Sequence, residues 1–211
     1  MTVNHPMQRF LLVAALAATV QLAGCASSKG TPNTTYDFGP ARAPASAPAA
    51  PAPLSGVLGA LVVTDVTGSS AYDSDRIFYR LSYADPLQAR AYANSRWSTT
   101  PLQMVTQRFK TRIAQAGVKV LSTTDATTGI AILRVDVDDF IHTFTGVAQS
   151  EGDVAVRVSL FQGHTLVDQK SFRHTTPAPS ADAAGGATAL AASTDAVAAD
   201  IVAWLAALPA R

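Results

Sequence analysis

IAILRVDVDDFIHTF, residues Ile130 to Phe144, is the stretch from which the fold is read. Leu133, Val135 and Val137 alternate with Arg134, Asp136 and Asp138. That period of two places successive side chains on opposite faces of a strand. After Asp139 the apolar phase moves to Phe140 and Phe144. A one-residue phase change inside a regular alternation predicts a β-bulge near Asp138-Asp139, in one long strand or a bent pair. Downstream, Asp153 to Phe161 alternates cleanly, with Val154, Val156, Val158 and Leu160 on one face. Gln162-Gly163-His164 turns that segment into Thr165 to Arg173, a hairpin.

Upstream, Val57 to Val66 (VLGALVVTDV) reads as a mostly buried strand and Gly68-Ser69-Ser70 as a turn. Ile77 to Leu81 is a second strand, and Ala89 to Tyr92 a short third, paired with it across Asp85-Pro86. A helix opens at Thr99 or Thr100 as cap with Pro101 in its first turn. Leu102, Val105, Phe109 and Ile113 recur on its inner face; Gln103, Gln107, Arg108, Thr111, Arg112 and Gln115 line the other. Gly117 ends it, and Val118 to Leu121 resumes a strand. Pro177, Pro179 and Gly185-Gly186 then separate the hairpin from a last helix, roughly 187–207, whose stripe is Leu190, Val197, Ile201, Trp204 and Leu208. The order predicts a single α/β domain: a mixed, mostly antiparallel sheet with two main helices packed on one face. An open sheet with helices on both faces is the alternative.

Outside this domain, spanning 54–211, the N-terminus has its own logic. His5 and Arg9 precede an apolar run, Phe10 to Leu22, too short to span a bilayer as a helix. It closes on Leu22-Ala23-Gly24-Cys25, which is similar to the lipobox of bacterial lipoproteins. Residues 1–24 are then a signal peptide cut between Gly24 and Cys25, and the Cys25 thiol carries a covalent diacylglyceryl lipid. Ala26, where an aspartate would favour inner-membrane retention in such proteins, favours the outer membrane. Residues 25–53 hold six of the twelve prolines among alanines, the composition of a semi-rigid extended tether. Tyr36-Asp37-Phe38-Gly39-Pro40 interrupts it, and two aromatics there suggest docking onto the domain or a partner as an added strand.

Catalytic chemistry has little to stand on. Cys25 is the only cysteine, so neither a disulfide nor a cysteine metal site is available to the domain. His142, His164 and His174 show no metal-ligand spacing, and His142 continues the Phe140/Phe144 face as a structural residue. Asp136, Asp138 and Asp139 read mainly as the solvated side of a strand. After cleavage, 15 basic residues balance 15 acidic ones, which gives no electrostatic case for nucleic acid. No cofactor is expected beyond the Cys25 lipid. Tyr79, Arg80, Tyr83, Tyr92, Arg96 and Trp97, with Tyr36, are residue types enriched at protein interfaces and form the candidate partner-binding set.

The chain is similar to the ABC-type transport auxiliary lipoproteins, the PqiC/YmbA-like group. The similarity rests on the lipobox, Tyr36-Asp37-Phe38-Gly39, Tyr79-Arg80, Tyr92, Ser95-Arg96-Trp97, the helix opened by Pro101, Asp182-Ala183-Ala184-Gly185 and Trp204. It implies a non-enzymatic adaptor of an MCE-type system that moves lipids or other hydrophobic molecules and supports membrane integrity. It implies contact with an MCE-domain protein, and through it a permease and an ATPase, and admits a homo-oligomeric ring. A periplasmic lipid carrier, with a pocket lined by Phe140, Phe144 and the last helix, is the competing expectation.

Overall fold

The computed structural model describes residues 33–41, 58–125 and 128–209. The predicted signal peptide, the Gly24-Cys25 junction and most of the Ala/Pro stretch lie outside them. Nine strands form one sheet among the described residues. In chain order they are β1 (Thr34–Tyr36), β2 (Ala60–Val63), β3 (Thr67–Gly68), β4 (Arg76–Leu81), β5 (Ala89–Trp97), β6 (Lys119–Leu121), β7 (Ala131–Phe144), β8 (Ser150–Gln162) and β9 (Thr165–Pro177). Helix α1 spans Pro101–Gln115 and α2 spans Ala183–Ala207. The α/β class and the pair of helices are as the sequence predicts.

β7 is the spine. One edge pairs antiparallel with β8 along its whole length, and β8 pairs in turn with β9. Three short strands share the other edge end to end, all parallel to β7: β2 at Ala131–Leu133, β3 at Asp136–Val137 and β4 at His142–Phe144. β6 extends the sheet beyond β2, and β5 then β1 extend it beyond β4. Antiparallel pairing is therefore confined to β4–β5 and the long β7–β8–β9 ladders, and every other pairing is parallel. The ladder shifts between Val137 and Asp139, so Asp138 is the extra residue. Val137 pairs with Val156 and Phe140 with Val154, and both stay on the core face across the shift. The bulge thus absorbs the change of apolar phase.

Helix α1 begins where expected. Thr100 Oγ1 accepts from the Gln103 N–H at 3.4 Å, Pro101 fills the first position, and Gly117 follows the end with φ +90°. Helix α2 starts four residues before the predicted boundary. Asp182 caps it, its carboxylate accepting from the Gly185 N–H at 2.8 Å, which places Gly185-Gly186 inside the first turn rather than in a linker. The glycines serve packing. A Cβ at Gly186 would overlap the His142 ring, and one at Gly185 the Ser180 carbonyl. By length and composition α2 could cross a membrane, but Leu190, Val197, Ile201 and Leu205 are buried in the core with Val154, Val156 and Val158 of β8.

β5 is longer than Ala89–Tyr92. Ala93-Asn94-Ser95-Arg96 has poor strand propensity, but β1 and β4 flank it and Trp97 anchors its end in the core.

Candidate functional site

The segment read as an island in a tether is docked. β1 lies parallel to the end of β5, Thr34 opposite Ser95 and Tyr36 opposite Trp97. The Ser98 N–H donates to the Tyr36 carbonyl at 2.8 Å. Phe38 follows and meets Trp97 edge-on at 5.8 Å and Phe140 at 6.1 Å between ring centroids. Gly39 then turns the chain at φ +61°, with its N–H on the Asp37 carboxylate at 2.7 Å.

Arg108 holds this turn. Assigned by periodicity to the polar face of α1, it is instead 5% exposed. Its guanidinium donates to the carbonyls of Phe38 and, at 2.9 Å, Gly39, and lies 3.4 Å from Asp195 of α2. Arg112 pairs with the same carboxylate at 2.8 Å. Burial lowers the Arg108 pKa, and the Asp195 charge opposes that shift. One buried cation thus ties the N-terminal segment, α1 and α2 together. Beside it lies an open cleft of about 860 Å³, lined by Asp37, Phe38, Asp65, Leu102, Gln103 and Arg108 among others.

The predicted partner-binding residues do not form one patch. Trp97 is 3% exposed and belongs to the core, which corrects its assignment to a surface. Tyr79 meets Tyr92 at 4.6 Å with the rings tilted by 39°, and meets Phe144 edge-on at 5.8 Å. Tyr92 Oη is 2.9 Å from Nδ1 of His142, which is fully buried. Burial lowers the His142 pKa to about 4, against a smaller opposing pull from Asp182, and raises that of Tyr92. The ring is therefore neutral at pH 7. Arg80, on the opposite side of β4 from Tyr79, lies 3.9 Å from Asp139. Arg96 is half-buried and donates to the Tyr92 and Ser95 carbonyls. Tyr36 is half-buried on the edge strand, and Tyr83 is exposed in the β4–β5 loop.

The carboxylates are spread among structural pairs. Thr67 donates to Asp136, Arg157 pairs with Asp138 at 3.3 Å, and Arg173 bridges Asp139 at 3.6 Å and Asp153. Tyr72 Oη donates to Asp139 at 3.4 Å, whose pKa is raised by burial and by the Asp153 charge. Among the described residues no three His, Cys, Asp or Glu side chains converge as a metal site.

The Phe38–Arg108 contact escaped sequence reading. Its one local trace is the Tyr36-x-Phe38-Gly39 island itself.

A profile of the family described as ABC-type transport auxiliary lipoprotein component matches residues 36–202. No curated protein matches the chain in sequence. A crystallised protein of Xanthomonas campestris superposes with a TM-score of 0.63 at 20% identity, covering 82% of this chain and 91% of that one. An uncharacterized protein superposes with the same TM-score at 13% identity, covering 83% and 99%. At those identities the likeness concerns the fold. The family match begins at Tyr36, the last residue of the docked β1, and runs through α1 and into α2 as far as Val202, so this chain belongs to the ABC-type transport auxiliary lipoprotein component family.

Proposed function

We propose that the protein is the lipid-anchored auxiliary subunit of an MCE-type ABC transport system, facing the periplasm from the outer membrane. There it helps to move lipids or other hydrophobic molecules and supports membrane integrity. The family match over residues 36–202 carries this reading. The lipobox at Cys25 and the Ala26 that follows support the anchor and its membrane. The subunit docks rather than catalyses: His142 and the β7 carboxylates are committed to packing and ion pairs. The β1–β5 edge, with Tyr36 and Arg96 half exposed, is the surface offered to the MCE-domain partner. No observation favours the carrier reading. Phe140 is packed against Phe38, Tyr72 and Trp97, and Phe144 against Tyr79 and His142, which fills the space a ligand would take.

Co-purification tests the proposal. The tagged lipoprotein, recovered from detergent-solubilised envelopes after mild crosslinking, brings an MCE-domain protein with it. Recovery with no such protein overturns the reading.

A further inference from the structure

The β4–β5 and β7–β8 loops leave the sheet at the same end. β4 runs parallel to β7 and the two finish in register, Leu81 opposite Phe144. The Ser82 N–H and hydroxyl both donate to the Phe144 carbonyl, at 3.0 and 2.7 Å, and tie the loops side by side as they emerge. At their tips stand three large apolar side chains exposed to water: Leu87 at 92%, Val147 at 84% and Tyr83 at 50%. The first two make no use of the core, and an aliphatic pair beside a tyrosine is the mixture favoured at a bilayer–water boundary.

The path of the chain supplies the occupant. β5 begins at this same end, because Ala89 pairs with Arg80. β1 runs parallel to β5 and starts opposite Ser95, so its N-terminal end faces the side of these loops. Seven residues separate Cys25 from Asn33, the first residue of the docked segment. Eight extended steps span at most about 29 Å, and the loop end of β5 at Ala89 lies roughly 20 Å from Ser95, within that reach. A tether of that reach limits how far the loop end can stand from a membrane in which Cys25 is held.

We infer that the loop end carrying Tyr83, Leu87 and Val147 is a second membrane contact, resting on the phospholipid surface in which Cys25 is anchored. The acyl chains fix the protein to the bilayer, and the loop tips fix its orientation there. This rests on the acylation of Cys25 proposed above.

The full chain, expressed and processed in cells, tests it. The variants L87C and V147C are each labelled with the fluorophore NBD, as is H164C in the β8–β9 turn at the opposite end of β7; the acylated Cys25 does not react. Each protein is reconstituted into phosphatidylethanolamine–phosphatidylglycerol vesicles with and without spin-labelled lipid, and flotation reports the anchor. Expected is flotation of all three, with emission at positions 87 and 147 shifted to the blue and quenched by spin-labelled lipid several-fold more than at 164. Flotation with equal quenching at the three positions overturns the inference alone. So does a blue shift at 87 or 147 without lipid quenching, which marks a protein contact. Failure to float overturns the acylation and, with it, this orientation.

Discussion

His142 shows how one side chain sets a pH limit on the fold. Its ring is fully buried, bonded to Tyr92, and capped by the bare Cα of Gly186. Burial holds its pKa near 4, below the ordinary 6.5, so the unfolded chain takes up the proton first. Stability from this residue is complete above about pH 6.5 and falls progressively toward pH 4, by on the order of 3 kcal/mol in total. In H142N the amide can still meet Tyr92 but does not titrate. Urea unfolding between pH 7 and pH 4.5 is expected to show a shallower loss of stability in H142N than in the wild type. Gly186 makes the complementary prediction. Inside a helix, alanine normally gains up to about 1 kcal/mol over glycine. Here the added methyl collides with the imidazole, and G186A is expected to lose about 1–3 kcal/mol, read as a fall in the urea midpoint. A higher midpoint would show the contact to be looser than described.

At the scale of elements, the N-terminal segment is held by a clasp rather than by sheet pairing alone. β1 has three residues, too few to stay paired unaided. The contacts of the Phe38 ring with Trp97 and Phe140 and the Arg108 hydrogen bonds stabilise it. R108M keeps the aliphatic bulk but leaves two carbonyls of the turn without their donor, at a cost of about 1–3 kcal/mol. Hydrogen exchange is expected to accelerate at the β1 amides and at Ser98, with the β7–β8 ladder unchanged. Uniform acceleration would mean that Arg108 supports the whole core and not one clasp. The elements legible in sequence were the local ones. The bulge at Asp138 shows as a change of phase within 15 residues, and Thr100-Pro101 with Gly117 brackets α1. Arg108 was not legible, because an arginine among glutamines reads as a solvent face and its carbonyl partners lie about 70 positions away. The start of α2 was hidden by Gly185-Gly186, since glycine signals a break unless the atom it must clear is known. The candidate partner face was read by residue type alone, which cannot separate a core tryptophan such as Trp97 from an exposed tyrosine such as Tyr83.

At the scale of the whole molecule, docking of Asn33–Ala41 changes what the Ala/Pro stretch does. Read as one tether from Cys25 to Pro53, it is divided by the docked segment, and only seven residues separate Cys25, the proposed anchor, from Asn33. Residues 42–57 instead join that segment to β2. C25S is expected to process incompletely or to leave the membrane fraction for the soluble periplasmic one, measured by fractionation and flotation of cell envelopes. Unchanged membrane fractionation would contradict the anchor.

The shared edge of β7 also dictates an order of events during synthesis. β2, β3 and β4 each find their β7 partner only after 60 or more further residues have been made. Until Ala131–Phe144 leaves the ribosome, the first half of the chain has no spine to assemble on, whereas β7, β8 and β9 are joined by short turns and can pair as soon as they appear. A chain exported as proposed above is thereby kept open by its own topology until β7 appears. With residues 1–24 acting as the proposed signal, β7 emerges late enough for them to engage an export machinery first.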